Sequence, residues 1–193
     1  RIDVNGNTLT QDKVVRREFR ISEGDAFNSL QVKRTTARIN SLGYFQENFE
    51  VNQVEGSQPD RIVLEANVEE QPTGELQLSA GFSSLESFIL SASIRQRHFR
   101  GRGQTIGASV NYSRYSRSAQ LSFTEPYLFD RNISAGLDVF RRDFNSFNRF
   151  NRDRNRTFEQ DSTGFTGRAG VPLTEYMSLI GSYTFSRDNV TLD

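Results

Sequence analysis

The sequence contains no cysteine and a single histidine, His98. The lack of cysteine excludes disulfides and thiolate metal sites, and one histidine is too few for most catalytic triads or histidine-based metal centres. No run approaches the roughly 18 consecutive apolar residues of a membrane helix. The first residues show no signal peptide, and no glycine-rich phosphate loop with its lysine occurs. We therefore expect a protein that is not an enzyme and that binds no metal or cofactor.

Basic and acidic side chains balance at 24 each, so the overall charge favours neither nucleic acid nor an acidic partner. Residues 1–72 carry nine basic and twelve acidic side chains, whereas residues 73–193 carry fifteen and twelve. This asymmetry indicates two domains, 1–72 and 73–193. The basic segment R-Q-R-H-F-R-G-R-G at 95–103 resembles an RNA-binding tract. Its glycines favour a hairpin turn instead, with His98 flanking the turn, and we predict no nucleic-acid partner.

The first domain alternates helix and strand signals. Thr10 is placed to cap a helix over residues 10–20, with Leu9 and Val14 as a hydrophobic staple. Asn28 is placed to cap a second helix, which a glycine then ends. Strands are predicted at 1–4, 44–55 and 61–70. The expected order is β-α-α-β-β, an α+β fold.

From Thr73 onward the helix signals vanish and a two-residue period repeats. The segment E-L-Q-L-S-A-G-F at 75–82 is typical, because its apolar and polar residues alternate strictly. Seven such rows follow one another, which predicts an antiparallel meander of about seven strands. One face of each strand is apolar and the other is mostly small or polar. The apolar face could line a soluble core or face lipid in a membrane β-barrel.

Three features favour the membrane barrel. The connections at 100–103 and 172–175 are tight, whereas residues 142–161 form a long polar loop, as in outer-membrane barrels. Aromatic residues cluster near the strand ends, as interfacial girdles require. The strands are also long enough to cross a bilayer when tilted. We therefore expect part of a transmembrane β-barrel at 73–193.

The residues also carry a resemblance to the outer-membrane protein assembly factors. The run V-N-G-N-T-L-T-Q-D-K-V-V-R-R-E-F-R-I-S-E-G-D, followed by R-I-N-S-L-G-Y-F, is similar to the last polypeptide-transport-associated (POTRA) domain of that family. The segments Q-P-T-G, R-G-R-G, T-E-P-Y-L-F and V-P-L-T-E-Y resemble the beginning of its barrel. The family barrel has more strands than the seven predicted here, so the chain resembles an internal fragment.

The resemblance implies a location in the Gram-negative outer membrane, with the POTRA domain in the periplasm. It implies outer-membrane lipid and lipopolysaccharide, unfolded outer-membrane proteins and lipoproteins such as BamD as partners. Four residues occupy or adjoin the matching motif for lipoprotein contact: Arg16, Arg17, Glu18 and Glu23. A solvated helix face is the plainer interpretation of these charges. The arginines of the predicted loop, from Arg141 onward, are candidates for lipopolysaccharide phosphates, which suit guanidinium forks.

The expected function is the folding and insertion of β-barrel proteins into the outer membrane. The first barrel strand would act as a seam that templates substrate strands, because an edge strand offers unpaired backbone groups. Its predicted residues are Gly74, Glu75, Leu76, Gln77, Leu78, Ser79, Ala80, Gly81 and Phe82. Two alternatives stay open, a passive polypeptide-secretion pore of the same superfamily and a soluble β-rich binding module.

Overall fold

Two units make up the computed structural model, which describes residues 1–47, 49–84, 86–147 and 156–192. The N-terminal unit contains residues 1–73 together with 98–103. The sheet unit contains residues 74–97 and 104–193.

The N-terminal unit has the predicted β-α-α-β-β order. Its elements are β1 (Ile2–Asn5), α1 (Asp12–Arg16), α2 (Ser29–Ser41), β2 (Val51–Glu55) and β3 (Ile62–Asn67). The three strands form one sheet in the order β1-β3-β2. Strand β1 runs parallel to β3, with Ile2 opposite Leu64, and β2 runs antiparallel to it.

Helix α2 is the better specified of the two helices. The Asn28 side chain accepts hydrogen bonds from the backbone N–H of Leu30 at 3.0 Å and of Gln31 at 3.3 Å, so the predicted cap is confirmed. The helix turns Val32 and Ile39 into the core. Ile39 packs in one cluster with Val14, Val15, Ala66 of β3 and Val68, which directly follows that strand. Burying side chains of this size contributes about 1.5–3 kcal/mol each.

The first helix is much shorter than predicted. It covers only Asp12–Arg16, and its N-cap residue Gln11 makes no side-chain cap, so the prediction of a Thr10-capped helix over 10–20 is wrong. The predicted staple is also wrong, because Leu9 is 78% exposed. The Thr10 hydroxyl instead bonds the ring of His98, a distant partner that local sequence rules cannot anticipate. The strand predicted over 44–55 shrinks to β2 in the same way, with only an isolated bridge from Phe45 to Glu70 before it.

The sheet unit is the predicted meander of seven antiparallel strands. They are β4 (Gly74–Ser83), β5 (Ser87–Phe99), β6 (Gln104–Ser113), β7 (Ser116–Glu125), β8 (Ser134–Phe147), β9 (Arg156–Pro172) and β10 (Ser178–Thr191). Each strand hydrogen-bonds to its sequence neighbours, from β4 at one edge to β10 at the other. A short 3₁₀ turn, Leu128–Asp130, lies between β7 and β8.

The long polar loop predicted at 142–161 is not a loop at its two ends. Strand β8 extends to Phe147 and β9 begins at Arg156, with Asp143 opposite Asp161 and Asn145 opposite Glu159. Residues 148–155 of that prediction lie outside the described residues. Polar composition suggested a loop here, but each strand supplies the backbone partners that the other needs.

The apolar rows of the sheet do not line a protein core. All the buried hydrophobic side chains among the described residues lie between Ile2 and Val68. In the sheet, by contrast, Leu78 is 73% exposed and Phe82 is 80% exposed. Apolar side chains on all seven strands share this exposure, which leaves a contiguous apolar face far larger than soluble monomers carry. We call this side of the sheet the apolar face and the other side the polar face.

Candidate functional site: an edge strand and a charged surface

Strand β4 contains all nine residues predicted for the seam. It pairs on one side with β5, from Gly74 opposite Gln96 to Ser83 opposite Ser87. Among the described residues no strand pairs with its other side. Residues 74–82 are all exposed. Because alternate residues of an edge strand point free N–H and C=O groups away from the sheet, β4 offers a row of donors and acceptors to another strand.

The side chains of β4 attach it only lightly to the sheet. On the polar face, the Glu75 carboxylate lies 2.8 Å from an Arg97 guanidinium nitrogen, and both side chains are about half exposed. Such a pair contributes at most about 1 kcal/mol. A Cβ added at Gly81 would meet nothing within 4 Å, and one at Gly74 would meet only the end of the Gln96 side chain. Glycine is therefore not demanded by space at either position, and it weakens the strand that contains it.

The structure brings Arg16 and Glu23 together. A Glu23 carboxylate oxygen accepts a hydrogen bond from the Ile2 N–H at 2.8 Å and lies 3.5 Å from an Arg16 nitrogen. Asp12 binds the same guanidinium at 2.8 Å, and this bond is the main reason that the pKa of Arg16 is raised. Both Arg16 and Glu23 are about half exposed, so they present paired charges to solvent. Glu23 also lines a cleft of about 510 Å³ beside Ile21.

Arg17 and Glu18 have different surroundings. The Glu18 side chain is only 5% exposed and accepts two hydrogen bonds from Arg38, at 2.7 and 3.0 Å. Arg17, 15% exposed, lies 3.8 Å from the other Glu18 oxygen. These two residues form an internal ion pair cluster with Arg38, whereas Arg16 and Glu23 form an exposed one.

Sequence reasoning missed the part that the turn 98–103 plays in the N-terminal unit. The His98 ring stacks on Tyr44 with centroids 4.0 Å apart, and its Nε2 lies 2.8 Å from the Thr10 hydroxyl. Its Nδ1 accepts the Gly103 N–H at 3.0 Å, and the Gly101 carbonyl accepts the Gln11 N–H at 2.9 Å. Because Nδ1 accepts, the ring proton must lie on Nε2 and point to Thr10. The single histidine was the one signal that could have drawn attention to this cluster.

Glu70 is the other residue whose role the sequence concealed. Its carboxylate accepts hydrogen bonds from the backbone N–H of Leu9 and Thr10 and from the Thr8 hydroxyl. Partial burial raises the pKa of Glu70, but the bonds from Thr10, Thr8 and Leu9 together lower it to about 2. Glu70 thus caps the segment that leads into α1, in place of the local cap that the sequence predicted.

Neither a metal cluster nor a membrane helix is found in the described part of the chain. No three His, Asp or Glu side chains gather there as metal ligands. No helix in it is long and apolar enough to cross a bilayer.

Comparison with known protein families accounts for both units. Residues 1–71 match the POTRA family, described as a surface antigen variable number repeat, and residues 98–193 match the Omp85 superfamily domain. The chain belongs to the Omp85 superfamily. Its fold is a POTRA domain followed by part of an antiparallel β-barrel, as predicted.

Omp85 relatives in the curated collections include outer membrane protein assembly factor BamA from several bacteria. The chain is 32% identical over 179 residues to BamA of Neisseria meningitidis serogroup B, a match that covers 91% of this chain and 22% of that protein. It is 30% identical over 187 residues to BamA of Nitratidesulfovibrio vulgaris, a match that covers 97% of this chain and 22% of that protein. The chain therefore spans about a fifth of the length of these relatives.

Solved structures show the same architecture. BamA of Haemophilus ducreyi lacking POTRA domains 1–3 superposes with a TM-score of 0.80 at 25% identity, over 98% of this chain and 35% of that one. CdiB from Escherichia coli superposes with a TM-score of 0.70 at 16% identity, over 100% of this chain and 37% of that one. The second likeness concerns the fold alone.

Proposed function

We propose that this chain is the barrel-proximal POTRA domain and first barrel strands of a factor that folds and inserts β-barrel proteins into the outer membrane. Support comes from the relatives, which are named outer membrane protein assembly factors, and from the exposed apolar face of the sheet. An apolar face of this kind is stable only against lipid or another apolar partner. The POTRA domain lies in the periplasm in this proposal. The activity requires no covalent step, since substrate folding itself supplies the free energy.

The observation that carries the mechanism is the free edge of β4. An unfolded substrate strand can add to this edge by forming the same backbone hydrogen bonds that β4 makes with β5 on its other side. The light attachment of β4, with two glycines and one exposed ion pair, favours a seam that opens and closes. The strand would thus act as a template whose backbone accepts many substrate sequences.

Strand β10 requires separate treatment because it is also an edge in this chain. Its residues are exposed throughout, as those of β4 are. The relatives are several times longer than this chain, so further strands would pair with β10 in the complete protein. In our proposal only β4, the first strand, keeps a free edge there.

Disulfide crosslinking in the complete protein tests this mechanism. The chain has no native cysteine, and serines at matched polar-face positions allow near-isosteric replacement: Ser79→Cys in β4, Ser109→Cys in β6 and Ser182→Cys in β10. Each variant would be incubated during active assembly with a substrate that carries a cysteine in its terminal strand. We expect a crosslink from residue 79 and little from residue 109, because β6 already pairs with β5 on one side and with β7 on the other.

The outcome also separates the rival functions. Crosslinking of equal strength along the polar face, from all three positions, would contradict templating and favour a pore through which the substrate threads. A soluble binding module would show no dependence on membrane at all.

We further propose that Arg16 and Glu23 form the contact with a partner lipoprotein such as BamD. These are the two members of the predicted set that are exposed and mutually oriented. In this proposal Arg17 and Glu18 support the region without contacting the partner, because Glu18 pairs with both Arg38 and Arg17 inside the domain.

A further inference from the structure

Two arginines form a row across the apolar face of the sheet, and a third lies one level beyond them. The strand register places Arg141 of β8 opposite Thr163 of β9, and Thr163 opposite Arg187 of β10. On the neighbouring strand, Arg117 of β7 lies opposite Asp143, one step further along. All three arginines lie on the apolar side, because each continues the apolar row of its own strand. Arg141 follows Leu137 and Val139, Arg187 follows Tyr183 and Phe185, and Arg117 continues the row of Leu121 and Ala119.

The level of this row coincides with the border of the apolar band. Below Arg141, Thr163 and Arg187 the next residues on the same face are Val139, Phe165 and Phe185, and the apolar pattern continues from there to Val171. Along β9, Val171 and Thr163 are eight residues apart, or about 26 Å of strand. At a tilt of about 40° this gives a rise of about 20 Å, close to the roughly 25 Å height of an outer-membrane apolar band.

The side chains are exposed and partly pre-oriented. Arg141 is 65% exposed and lies 3.3 Å from Asp143. The Arg117 guanidinium carbon lies 5.2 Å from the centroid of the Tyr112 ring, an aromatic of the kind found at a membrane border. The acidic residues Asp143 and Asp161 lie one step beyond the row, farther from the apolar band. Arg141 and Arg187 thus come first above the apolar band, and Arg117 lies in the next level with the two aspartates.

We propose that Arg117, Arg141 and Arg187 bind the phosphate groups of glycolipids in the outer leaflet of the membrane. This inference rests on the proposed function, which sets the orientation: the chain enters β4 from a periplasmic domain, so the connection between β6 and β7 and the far ends of β8 and β9 lie on the outer side. A phosphorylated glycolipid has its acyl chains level with the apolar band and its phosphates directly above them. A guanidinium group can donate two parallel hydrogen bonds to two oxygens of one phosphate, so arginine suits this ligand.

Matched variants on the two faces of one strand test the proposal. Arg142 follows Arg141 directly but lies on the polar face, where its guanidinium carbon is 5.0 Å from the Phe140 ring centroid. The complete protein would be placed in phosphatidylcholine nanodiscs with bis-phosphorylated lipid A. Retention of lipid A would be measured by native mass spectrometry for the parent, for Arg141→Gln, for Arg142→Gln and for the triple variant R117Q/R141Q/R187Q.

We expect Arg141→Gln to weaken lipid A retention roughly fivefold and the triple variant to weaken it tenfold or more, in line with other basic residues near anionic membrane surfaces. Arg142→Gln should behave like the parent. Dephosphorylated lipid A should bind all variants alike, and millimolar inorganic phosphate should not compete, which together identify a lipid phosphate as the ligand.

Equal retention by the parent and the triple variant would overturn the inference, and so would equal losses in Arg141→Gln and Arg142→Gln. In both cases the arginines would act only through contacts within the protein, such as the 3.3 Å ion pair of Arg141 with Asp143. Residue 79 crosslinking in the same samples keeps the two proposals apart. A crosslink without arginine-dependent lipid binding overturns this inference alone, whereas a protein that fails to enter the nanodisc overturns the proposed function.

Discussion

At the scale of single residues, Glu23 provides the test of the lipoprotein contact. Glu23→Lys reverses an exposed charge that faces Arg16, and it should weaken binding of the partner without unfolding the domain, since exposed pairs contribute little to stability. Glu23→Gln keeps an acceptor for the Ile2 N–H and should give an intermediate effect. The measurement is titration of residues 1–72 against BamD, with Glu55→Lys as a control of equal charge change on exposed β2. Equal affinities for all four proteins would contradict the contact.

Glu70 makes the stability of the first domain depend on pH. Its pKa is about 2 in the folded protein and about 4.5 in the unfolded chain, so the unfolded chain binds more protons between these values. The stabilisation is complete above pH 4.5 and is lost as the pH falls toward 2. Urea unfolding of residues 1–72 should show this slope, and Glu70→Gln should flatten it while costing about 1 kcal/mol at neutral pH. Glu69→Gln, whose carboxylate accepts one bond from Gln46, is the control; a parent-like slope in Glu70→Gln would contradict the assignment.

Comparison of Asn28 with Glu70 shows which contacts a sequence can predict. Asn28 bonds N–H groups two and three residues away, so spacing alone identified it. Glu70 bonds groups about sixty residues earlier, and His98 reaches Thr10 across 88 residues. Such contacts depend on how the elements fold together. The pairing of Glu18 with Arg38 was missed for the same reason, because these residues are twenty positions apart.

At the scale of elements, the turn 98–103 has a strict backbone requirement. Gly101 has φ +64°, and a Cβ there would collide with the Leu9 carbonyl oxygen. Gly101→Ala should therefore displace the turn and cost about 1–3 kcal/mol. Hydrogen exchange on the complete protein should show faster exchange at the Gln11 N–H, which donates to the Gly101 carbonyl. Gly81→Ala is the matched control, because a Cβ at Gly81 meets no atom within 4 Å. Unchanged protection in Gly101→Ala would show that the turn adapts.

Elements in which apolar and polar residues alternate clearly were predicted well. The loop predicted from polar composition was not. The seven strands were predicted from alternation, because successive side chains of a strand point to opposite faces and the two faces of this sheet differ in polarity. The extension of β8 to Phe147 could not be seen, because its hydrogen bonds come from β9 and not from its own residues. Helix α1 was predicted too long because its buried residues, Val14 and Val15, occupy a helix of only five residues.

At the scale of the whole molecule, the two domains differ in whether they bury their apolar side chains. The POTRA domain buries its hydrophobic residues in a core that includes Val15, Ile39 and Ala66. The sheet exposes its apolar rows, so its stability must depend on what covers that face. This contrast favours the lipid-facing interpretation over the soluble one, two interpretations that alternation alone left open.

The contrast predicts opposite behaviour of the two domains when they are produced separately. Residues 1–72 should be a soluble monomer that unfolds cooperatively, and Leu64→Asp, which places a carboxylate at a site only 5% exposed, should unfold it. Residues 73–193 should aggregate without detergent, because water meets both the apolar face and the free backbone groups of β4 and β10. Light scattering and circular dichroism with and without detergent measure both outcomes. A monodisperse, detergent-free 73–193 monomer with a cooperative melting transition would contradict the lipid-facing assignment, because an apolar face that is stable in water needs no membrane.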